Sequence, residues 1–298
     1  MNKKTLYLHV GFPKTGTSAI QDFLYVNSDQ LKEIDYYYPK TGLLGRAGHA
    51  LLAPALKRAD KKTADDLLSE ISGLKQKNII ISAEFFFGFT EKEIEFLKSL
   101  FENFAVYIVV YFRRQDHRVE SGYIQVIKDT DMRFSRDIAR YIWWLKKNPR
   151  RLNYYAFLRP WAKTFGKTNI IVRVYEKRQL PDGLLPDFLK SVGIHDISRF
   201  TIPEKDVNPT LPVAFVKLLK FTNRFSLPKN IHLILLRAMM SLTSLMLVFK
   251  KKGFSKPAFL SPEQRRKLLA QYEESNKRVA VEYLRREDGV LFYEPPPL

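Results

Sequence analysis

The apolar residues in the first part of the chain form short continuous runs separated by amphipathic stretches. Runs of β-prone residues lie at 6–10, 78–83, 105–112 and 169–175, a pattern typical of strands that are buried on both faces. The stretches at 63–76 and 91–104 have helical spacing. Alternation of strands and helices predicts an α/β fold with a parallel sheet flanked by helices on both faces.

The pattern becomes helical from about residue 209 onward, which predicts a helical C-terminal portion. Segment 234–249 is unusually apolar, carries Arg237 in its middle and is followed by three lysines. It is short for a membrane span, so we weigh a buried helix against an interfacial helix on an anionic membrane. Segment 262–286 is predicted to be one long amphipathic helix.

We find no internal repeat and no low-complexity linker in the sequence. We therefore expect a single domain over 1–298, with an α/β core at about 5–180 and a mostly helical extension at about 205–290. The irregular, glycine-containing stretch at 36–54 is predicted to be a long loop with short helical pieces, and loops of that length are often functional.

The composition narrows the chemistry available to the chain. There are no cysteines, which excludes disulfides, thiolate metal sites and cysteine nucleophiles. Fifty basic residues stand against 31 acidic ones, giving a net charge of +19 that attracts anions such as nucleic acid, a membrane surface or a polyanionic small molecule. The first strand follows MNKK with no signal-type apolar region between them, so we expect a cytoplasmic location.

The loop after the first strand has the composition of an anion site. It reads GFPKTGTS over residues 11–18 and leads into a predicted helix, whose N-terminal dipole favours an anion. Lys14 supplies a positive charge, the glycines let backbone N–H groups face inward, and hydroxyls can donate hydrogen bonds. The candidate binding residues are Lys14, Thr15, Gly16, Thr17 and Ser18. The structural alternative is an ordinary loop with a capping threonine.

Two other predicted strands end in candidate side chains at the same edge of the sheet. Arg113 follows strand 105–112, and Ser121 lies early in the next helix, where a guanidinium and a hydroxyl can bind a second phosphate. Glu84 follows strand 78–83 within a run of phenylalanines. A carboxylate beside Lys14 can act as a general base. Solvated charges at a helix start, or a salt-bridged glutamate, are the structural alternatives.

These motifs resemble those of the sulfotransferases that use 3′-phosphoadenosine 5′-phosphosulfate (PAPS). The similarity lies in a strand followed by FPKTGTS and a later strand followed by R-x7-S-x-Y, and it covers about residues 5–128. The resemblance implies a P-loop-like sheet whose first loop binds the 5′-phosphosulfate, with Lys14 stabilising the leaving phosphate. It also implies that Arg113 and Ser121 bind the 3′-phosphate.

The resemblance further implies transfer of a sulfuryl group from PAPS to a hydroxyl of a carbohydrate or glycoconjugate, without a metal. Glu84 matches the position of the base in the glycan-acting branch, whereas the branch acting on phenols and steroids uses a histidine. His49 is therefore the reserve candidate for the base. The expected partners are a glycan or glycolipid acceptor and an anionic membrane contacted peripherally, at its inner face, through 234–252, with no specific nucleic acid.

Two other functions remain open from the sequence. A P-loop kinase or NTPase would carry its lysine directly after Gly16, where this chain has Thr17. A basic protein that binds membranes or nucleic acid without catalysis would account for the net charge of +19, and its affinity would follow salt concentration without depending on Lys14.

Overall fold

The computed structural model describes residues 3–202, 211–225, 228–248 and 258–295, without the side chains of 246–248. Contacts between residues divide the chain into two compact units. The strand unit comprises 1–114, 153–205 and 274–295, and the helical unit comprises 115–152, 206–273 and 296–298. The single-domain interpretation stays a prediction.

The strand unit contains a five-stranded sheet in the order β2-β3-β1-β4-β5. All of its strand pairs are parallel, which confirms the α/β fold class. The strands are β1 (Lys4–Val10), β2 (Tyr36–Tyr37), β3 (Asn78–Ala83), β4 (Phe104–Phe112) and β5 (Ile170–Val174). Four of them lie where the apolar runs predict, whereas the two-residue β2 falls within the stretch expected to be a loop.

Helices make up most of the remaining described structure. In the strand unit they are α1 (Thr17–Val26), α2 (Ser28–Glu33), α3 (Leu52–Lys57), α4 (Lys61–Ser72), α5 (Glu91–Leu100), α8 (Tyr154–Phe165), α9 (Leu184–Ser191) and α13 (Glu273–Leu284). In the helical unit they are α6 (Gln115–Lys128), α7 (Ile138–Lys146), α10 (Val213–Thr222), α11 (Lys229–Val248) and α12 (Pro262–Ala270).

Apolar side chains on the two faces of the sheet enter two separate cores. Leu8 and Ile81 belong to a core that also contains residues of α3, α4, α5, α8 and α13. Ile80 and Val109 point the other way and pack with residues of α1 and α9. Because successive strand side chains alternate between faces, continuous apolar runs are needed to fill both cores. The predicted helices on both faces are therefore confirmed.

The helical unit has its own core and a buried ion-pair cluster. Its core takes side chains from α6, α7, α10, α11 and α12. Arg265 of α12 contacts Asp116 at 2.9 Å and Glu120 at 2.6 Å, and both carboxylates belong to α6. Glu120 also accepts hydrogen bonds from the backbone N–H groups of Phe259 and Leu260. The cluster therefore fixes α12 and the chain before it onto α6.

The prediction of one long helix over 262–286 is wrong, because α12 ends at Ala270 and α13 begins at Glu273. Leu268 of α12 belongs to the core of the helical unit. Val279 and Ala280 of α13 belong to a core of the strand unit. The two halves bury their apolar residues in different cores, and a single straight helix is not formed.

The apolar helix α11 is buried along one side and exposed along another. His232, Met239 and Thr243 are buried, whereas Ile234 and Leu245 are exposed. The buried alternative weighed for segment 234–249 thus describes one side of α11, and the interfacial alternative stays a prediction. Residues 249–252 lie outside the described residues. Among the described residues, no helix combines the length and the apolarity that crossing a bilayer requires.

Candidate active site

The site residues of the strand unit lie at the carboxyl ends of β1, β3 and β4. Val10 pairs with Ala83, and His9 pairs with Val109, so the ends of these three strands are neighbours. The chain leaves β1 toward β2 on one side of the sheet and leaves β4 toward β5 on the other. Ligands of open α/β sheets bind at this kind of switch point. The predicted proximity of the three strand ends is confirmed.

The loop after β1 has an unusual backbone at Lys14. Lys14 has φ 70° and Gly16 has φ 81°, both in the left-handed region that side chains rarely adopt. The Thr15 hydroxyl donates to the carbonyl oxygen of Phe12 at 2.6 Å, and Thr15 is buried. This hydrogen bond therefore closes a turn of the loop between Phe12 and Thr15. Positive φ at a non-glycine residue stores strain, and such residues cluster at functional sites.

The start of α1 is left open to an anion. Gly16 is the N-cap residue, and no side chain caps this N-terminus within the described part of the chain. The first turn contains no acidic residue. The N-terminal N–H groups of a helix have no intrahelical partner and carry a partial positive charge. Ser18 is exposed here, whereas Thr17 is buried with its hydroxyl 3.5 Å from the Phe12 carbonyl oxygen.

Close packing at Gly11 places Glu84 against the loop. A Cβ atom on Gly11 would lie 2.5 Å from Thr17 Cγ2 and 2.9 Å from the Cα atom of Glu84. The Gly11 N–H donates to the Ala83 carbonyl at 3.1 Å and extends the pairing of β1 with β3 by one residue. Only glycine allows this approach. Half-buried Glu84, the first residue of the 3₁₀ turn Glu84–Gly88, is therefore set beside the anion-binding loop.

Arg113 connects the end of β4 to the same loop. Its Nη1 donates to the Lys14 carbonyl oxygen at 3.2 Å, and its guanidinium lies 5.6 Å from the ring centroid of Tyr175. The Tyr154 hydroxyl donates to the Arg113 carbonyl. The structure thus brings Lys14, Glu84 and Arg113 to one edge of the sheet. Ser121 belongs to the helical unit, two turns into α6, and is half-buried there.

His49 lies in the interior of the strand unit. It is fully buried, its Nε2 donates to the Pro39 carbonyl at 2.9 Å, and its Nδ1 accepts from the Ser82 N–H at 3.2 Å. Burial lowers the pKa of the His49 imidazole to about 4, against the opposing effect of its backbone hydrogen bonds. Both ring nitrogens are engaged with the backbone, so the reserve role of general base does not suit this side chain.

A buried polar cluster behind the site was not anticipated from the sequence. The Ser82 hydroxyl bonds with His9 Nδ1 at 2.8 Å, and the Ser82 carbonyl accepts from Gln21 Nε2 at 3.3 Å. The same carbonyl accepts from the His49 N–H. These contacts fix the end of β3, and therefore Glu84, to β1 and α1. The sequence does place polar residues, His9 and Ser82, inside the apolar runs LYLHV and NIIISA, and these positions could have indicated the cluster.

Aromatic residues near the predicted loop 36–54 are mostly part of the core. Tyr36, Tyr37 and Tyr38 are buried, as is Phe86. Phe85, directly after Glu84, is 56% exposed. An exposed aromatic ring therefore lies directly beside the candidate base. No group of three or more histidine, aspartate or glutamate side chains among the described residues is arranged to hold a metal ion.

Comparisons with known proteins leave the family open. No family model matches the chain. A relative from Archaeoglobus fulgidus, described as an uncharacterized protein, is 28% identical over 217 residues, which are 72% of this chain and 56% of the relative. The chain therefore spans about half the length of the curated relative it matches.

Among solved structures, the crystal structure of a sulfotransferase from Alicyclobacillus acidocaldarius is similar to this chain. The TM-score is 0.44, with 16% sequence identity, over 81% of this chain and 97% of that chain. A similarity at this level is too low to carry an argument about activity.

Proposed function

We propose that this chain transfers a sulfuryl group from PAPS to a hydroxyl of a carbohydrate or glycoconjugate. The observation that carries the proposal is the loop after β1. Its Lys14 backbone is held at φ 70°, no described residue caps its helix start with a side chain, and Glu84 and Arg113 lie against it. Together with the motifs GFPKTGTS and R-x7-S-x-Y, this arrangement suits a sulfate or phosphate group bound next to a carboxylate.

Lys14 and the N–H groups of the loop would stabilise the leaving group. As the bond between sulfur and the bridging oxygen breaks, negative charge develops on that oxygen of the nucleotide. A preorganised cation and N–H donors bind this charge more tightly in the transition state than in the ground state. Arg113 and Ser121 would bind the 3′-phosphate, a role that rests on the resemblance of R-x7-S-x-Y. The products are the sulfated acceptor and 3′,5′-adenosine bisphosphate.

Glu84 would accept the proton of the attacking hydroxyl. The acceptor oxygen forms a bond to sulfur on the side opposite the leaving group, and the proton moves to the Glu84 carboxylate as that bond forms. The exposed Phe85 ring next to Glu84 gives the acceptor a surface on which a sugar can stack. A carbohydrate acceptor is favoured for this reason, and because Glu84 resembles the base of the glycan-acting branch.

A thermal-shift titration tests the donor site. Wild type, Lys14→Met and the control Lys62→Met are titrated with 3′,5′-adenosine bisphosphate and, separately, with ADP, each in the presence and in the absence of Mg²⁺. Lys62 lies on the exposed side of α4 in the same unit. At a ligand concentration about a hundred times the Kd, binding adds about 2.7 kcal/mol to the free energy of unfolding.

We expect a metal-independent, saturable rise in Tm with the bisphosphate for wild type and Lys62→Met, and a weakened rise for Lys14→Met. A rise with ADP only when Mg²⁺ is present would favour a kinase or NTPase and contradict the proposal. Equal shifts in all three proteins would show that the bisphosphate binds away from the loop. Transfer of labelled sulfate from PAPS to a panel of glycans then tests the acceptor class.

A further inference from the structure

The helical unit contains a cavity with a surplus of positive charge. Its volume is about 530 Å³, within the range of ligand-binding pockets. The lining residues are Ser135, Arg136, Asp137, Lys220 and Arg224. Asp137 is the N-cap of α7, where its carboxylate accepts a hydrogen bond from the Arg140 N–H at 2.8 Å. Three basic side chains thus line the cavity with one carboxylate, and that carboxylate already caps the N-terminus of α7.

The three basic side chains of the cavity are not neutralised by ion pairs in the described part of the chain. Arg136, Lys220 and Arg224 form no ion pair with any described residue. An adjoining cavity of about 400 Å³ shares Arg136 and Asp137 with the first and adds Arg140. Positive charge that converges on a concave surface attracts an anionic group.

A stripe of exposed residues extends from the cavity along α7. Arg136 precedes the N-cap of α7, Arg140, Trp143 and Lys147 recur at spacings of three and four residues along the helix to its C-cap, and all four are exposed. The Arg140 guanidinium lies 3.9 Å and the Lys147 Nζ 4.2 Å from the ring centroid of Trp143. An exposed tryptophan flanked by basic side chains is typical of the interface between water and a bilayer.

Helix α10 presents exposed apolar residues beside the basic residues of the cavity. Val216 and Leu219 are fully buried in the core, whereas Leu218 and Phe221 are exposed. Phe225, just beyond α10, is 54% exposed and contacts Phe221 with ring centroids 5.2 Å apart. At 100° per residue, Lys220 and Arg224 lie between the buried side and this apolar side. The basic residues of the cavity therefore lie next to exposed apolar side chains of α10.

Helix α11 adds a second exposed apolar stripe to the same unit. Ile231, Ile234, Leu242 and Leu245 are exposed at positions that fall on one side of the helix. Another side of the helix packs into the core of the unit. Aliphatic side chains do not stack on nucleic-acid bases, whereas they enter the boundary between headgroups and acyl chains. The combination of basic and aliphatic residues therefore favours lipid over nucleic acid.

We infer that the helical unit binds the surface of an anionic lipid bilayer. A phosphate group of a lipid head occupies the cavity formed by Arg136, Lys220 and Arg224, and the exposed apolar residues Leu218, Phe221 and Phe225 enter the interfacial region. The charge of the cavity complements the anionic headgroup, and the adjoining apolar residues complement the acyl boundary. This inference does not depend on the proposed transfer reaction.

Vesicle co-sedimentation of the full chain tests the inference. The vesicles are phosphatidylcholine alone, or phosphatidylcholine mixed with phosphatidylglycerol. The charge variant is Arg136→Ser/Lys220→Ser/Arg224→Ser, and its matched control is Lys61→Ser/Lys62→Ser/Lys75→Ser, which removes the same charge from exposed positions of the strand unit. The apolar variant is Phe221→Ser/Phe225→Ser, with Leu44→Ser/Leu51→Ser as its control.

We expect wild type to bind the mixed vesicles and not the neutral ones. The charge variant should bind about fivefold more weakly for each basic residue removed, about a hundredfold in all. The matched control should lose much less, because its charges lie outside the basic cavity. The apolar variant should also bind more weakly than its control. Circular dichroism confirms that each variant is folded before it is compared.

Three outcomes would overturn the inference. Equal losses in the charge variant and its control would mean that only net charge matters. Saturable binding of free inorganic phosphate that the charge variant abolishes, with no vesicle binding by wild type, would make the cavity a site for a soluble anion. Tight, cavity-dependent binding of single-stranded RNA without vesicle binding would identify a nucleic-acid surface instead.

Discussion

At the scale of single residues, the position of Glu84 depends on the absence of a side chain at Gly11, which packs against it. Gly11 has no Cβ, and a Cβ there would lie 2.9 Å from the Cα atom of Glu84. Backbone packing therefore sets the Cα atom of Glu84 next to the strained loop, and a side chain at position 11 would displace it.

Glu84→Gln should leave the donor site intact and remove the base. The two side chains have nearly the same shape, so the Kd for 3′,5′-adenosine bisphosphate should be unchanged. The transfer rate should fall by about 10²–10⁴, the usual contribution of a general base. Binding by thermal shift and kcat with a saturating acceptor measure the two effects. Weakened donor binding with an unchanged kcat would contradict the role of Glu84 as base.

Buried histidines should make the protein unstable in acid. The pKa of His49 is lowered to about 4 and that of His9 to about 3, both by burial, whereas an unfolded histidine titrates near 6.5. Below pH 6.5 the two histidines become protonated in the unfolded chain, whereas they stay neutral in the folded chain. Stability is therefore full above about pH 6.5 and is lost as pH falls toward 4, by up to about 1.4 kcal/mol per pH unit for each histidine.

Urea unfolding between about pH 7.5 and pH 5 measures this dependence. His49→Gln keeps a donor toward the Pro39 carbonyl and cannot titrate, so its stability should fall less steeply with acid than that of wild type. His195→Gln is the control, since His195 is exposed. Identical slopes for wild type and His49→Gln would show that His49 is not kept neutral by burial.

Residue types predicted which side chains meet at one edge of the sheet, but not how each side chain is used. Lys14, Glu84 and Arg113 follow three apolar runs, and parallel strands bring such positions to one edge. The bond from the Thr15 hydroxyl to the Phe12 carbonyl was not predictable, because a hydroxyl suits an anion and a carbonyl equally. The burial of His49 depends on a backbone contact with Ser82, distant in sequence, that no local pattern encodes.

At the scale of elements, the buried cluster of Arg265 with Asp116 and Glu120 should dominate the attachment of α12 to α6. Arg265→Met removes the cation that contacts two buried carboxylates, which should destabilise the helical unit by about 3–5 kcal/mol. Lys267→Met, in the same helix, breaks an exposed pair with Glu263 and should cost about 0–1 kcal/mol. Hydrogen exchange of the amides of α6 and α12 reports the loss locally.

The control separates burial from charge in this comparison. Both variants replace a cation of α12 with methionine, so helix propensity and net charge change by similar amounts. Equal acceleration of exchange in the two variants would mean that the buried pairs add nothing beyond surface charge. If hydrogen exchange in Arg265→Met became faster in α12 and not in α6, the cluster would stabilise α12 alone.

Elements with a strong repeating pattern were predictable, and short or divided ones were not. The strands β1, β3 and β4 are mostly apolar runs because residues on both of their faces are buried, whereas the edge strand β5 alternates buried and half-buried residues. The strand β2 has two residues, too few for any periodicity to appear. The helical spacing over 262–286 is real, but it does not reveal that Leu268 and Val279 belong to different cores. Only the tertiary structure separates α12 from α13.

At the scale of the whole molecule, the net charge of +19 should accelerate the arrival of an anionic donor. A surplus of one sign raises the association rate of oppositely charged ligands by about 10–10³, and salt suppresses this steering. The Debye length shrinks from about 14 Å at about 0.05 M salt to about 4 Å at about 0.5 M salt. The association rate constant of 3′,5′-adenosine bisphosphate should therefore fall about tenfold or more over this range.

Stopped-flow measurement of binding separates the long-range field from the contacts of the site. The dissociation rate should change much less with salt than the association rate, because in the proposed site Lys14 and the N–H groups of the loop would contact the ligand directly and be screened less. Adenosine 5′-monophosphate carries less charge, so its association rate should show a shallower salt dependence under the same conditions. If salt instead acted mainly on dissociation, and equally for both nucleotides, the net charge of +19 would have no part in donor capture. The affinity of the site would then be due to its local contacts alone.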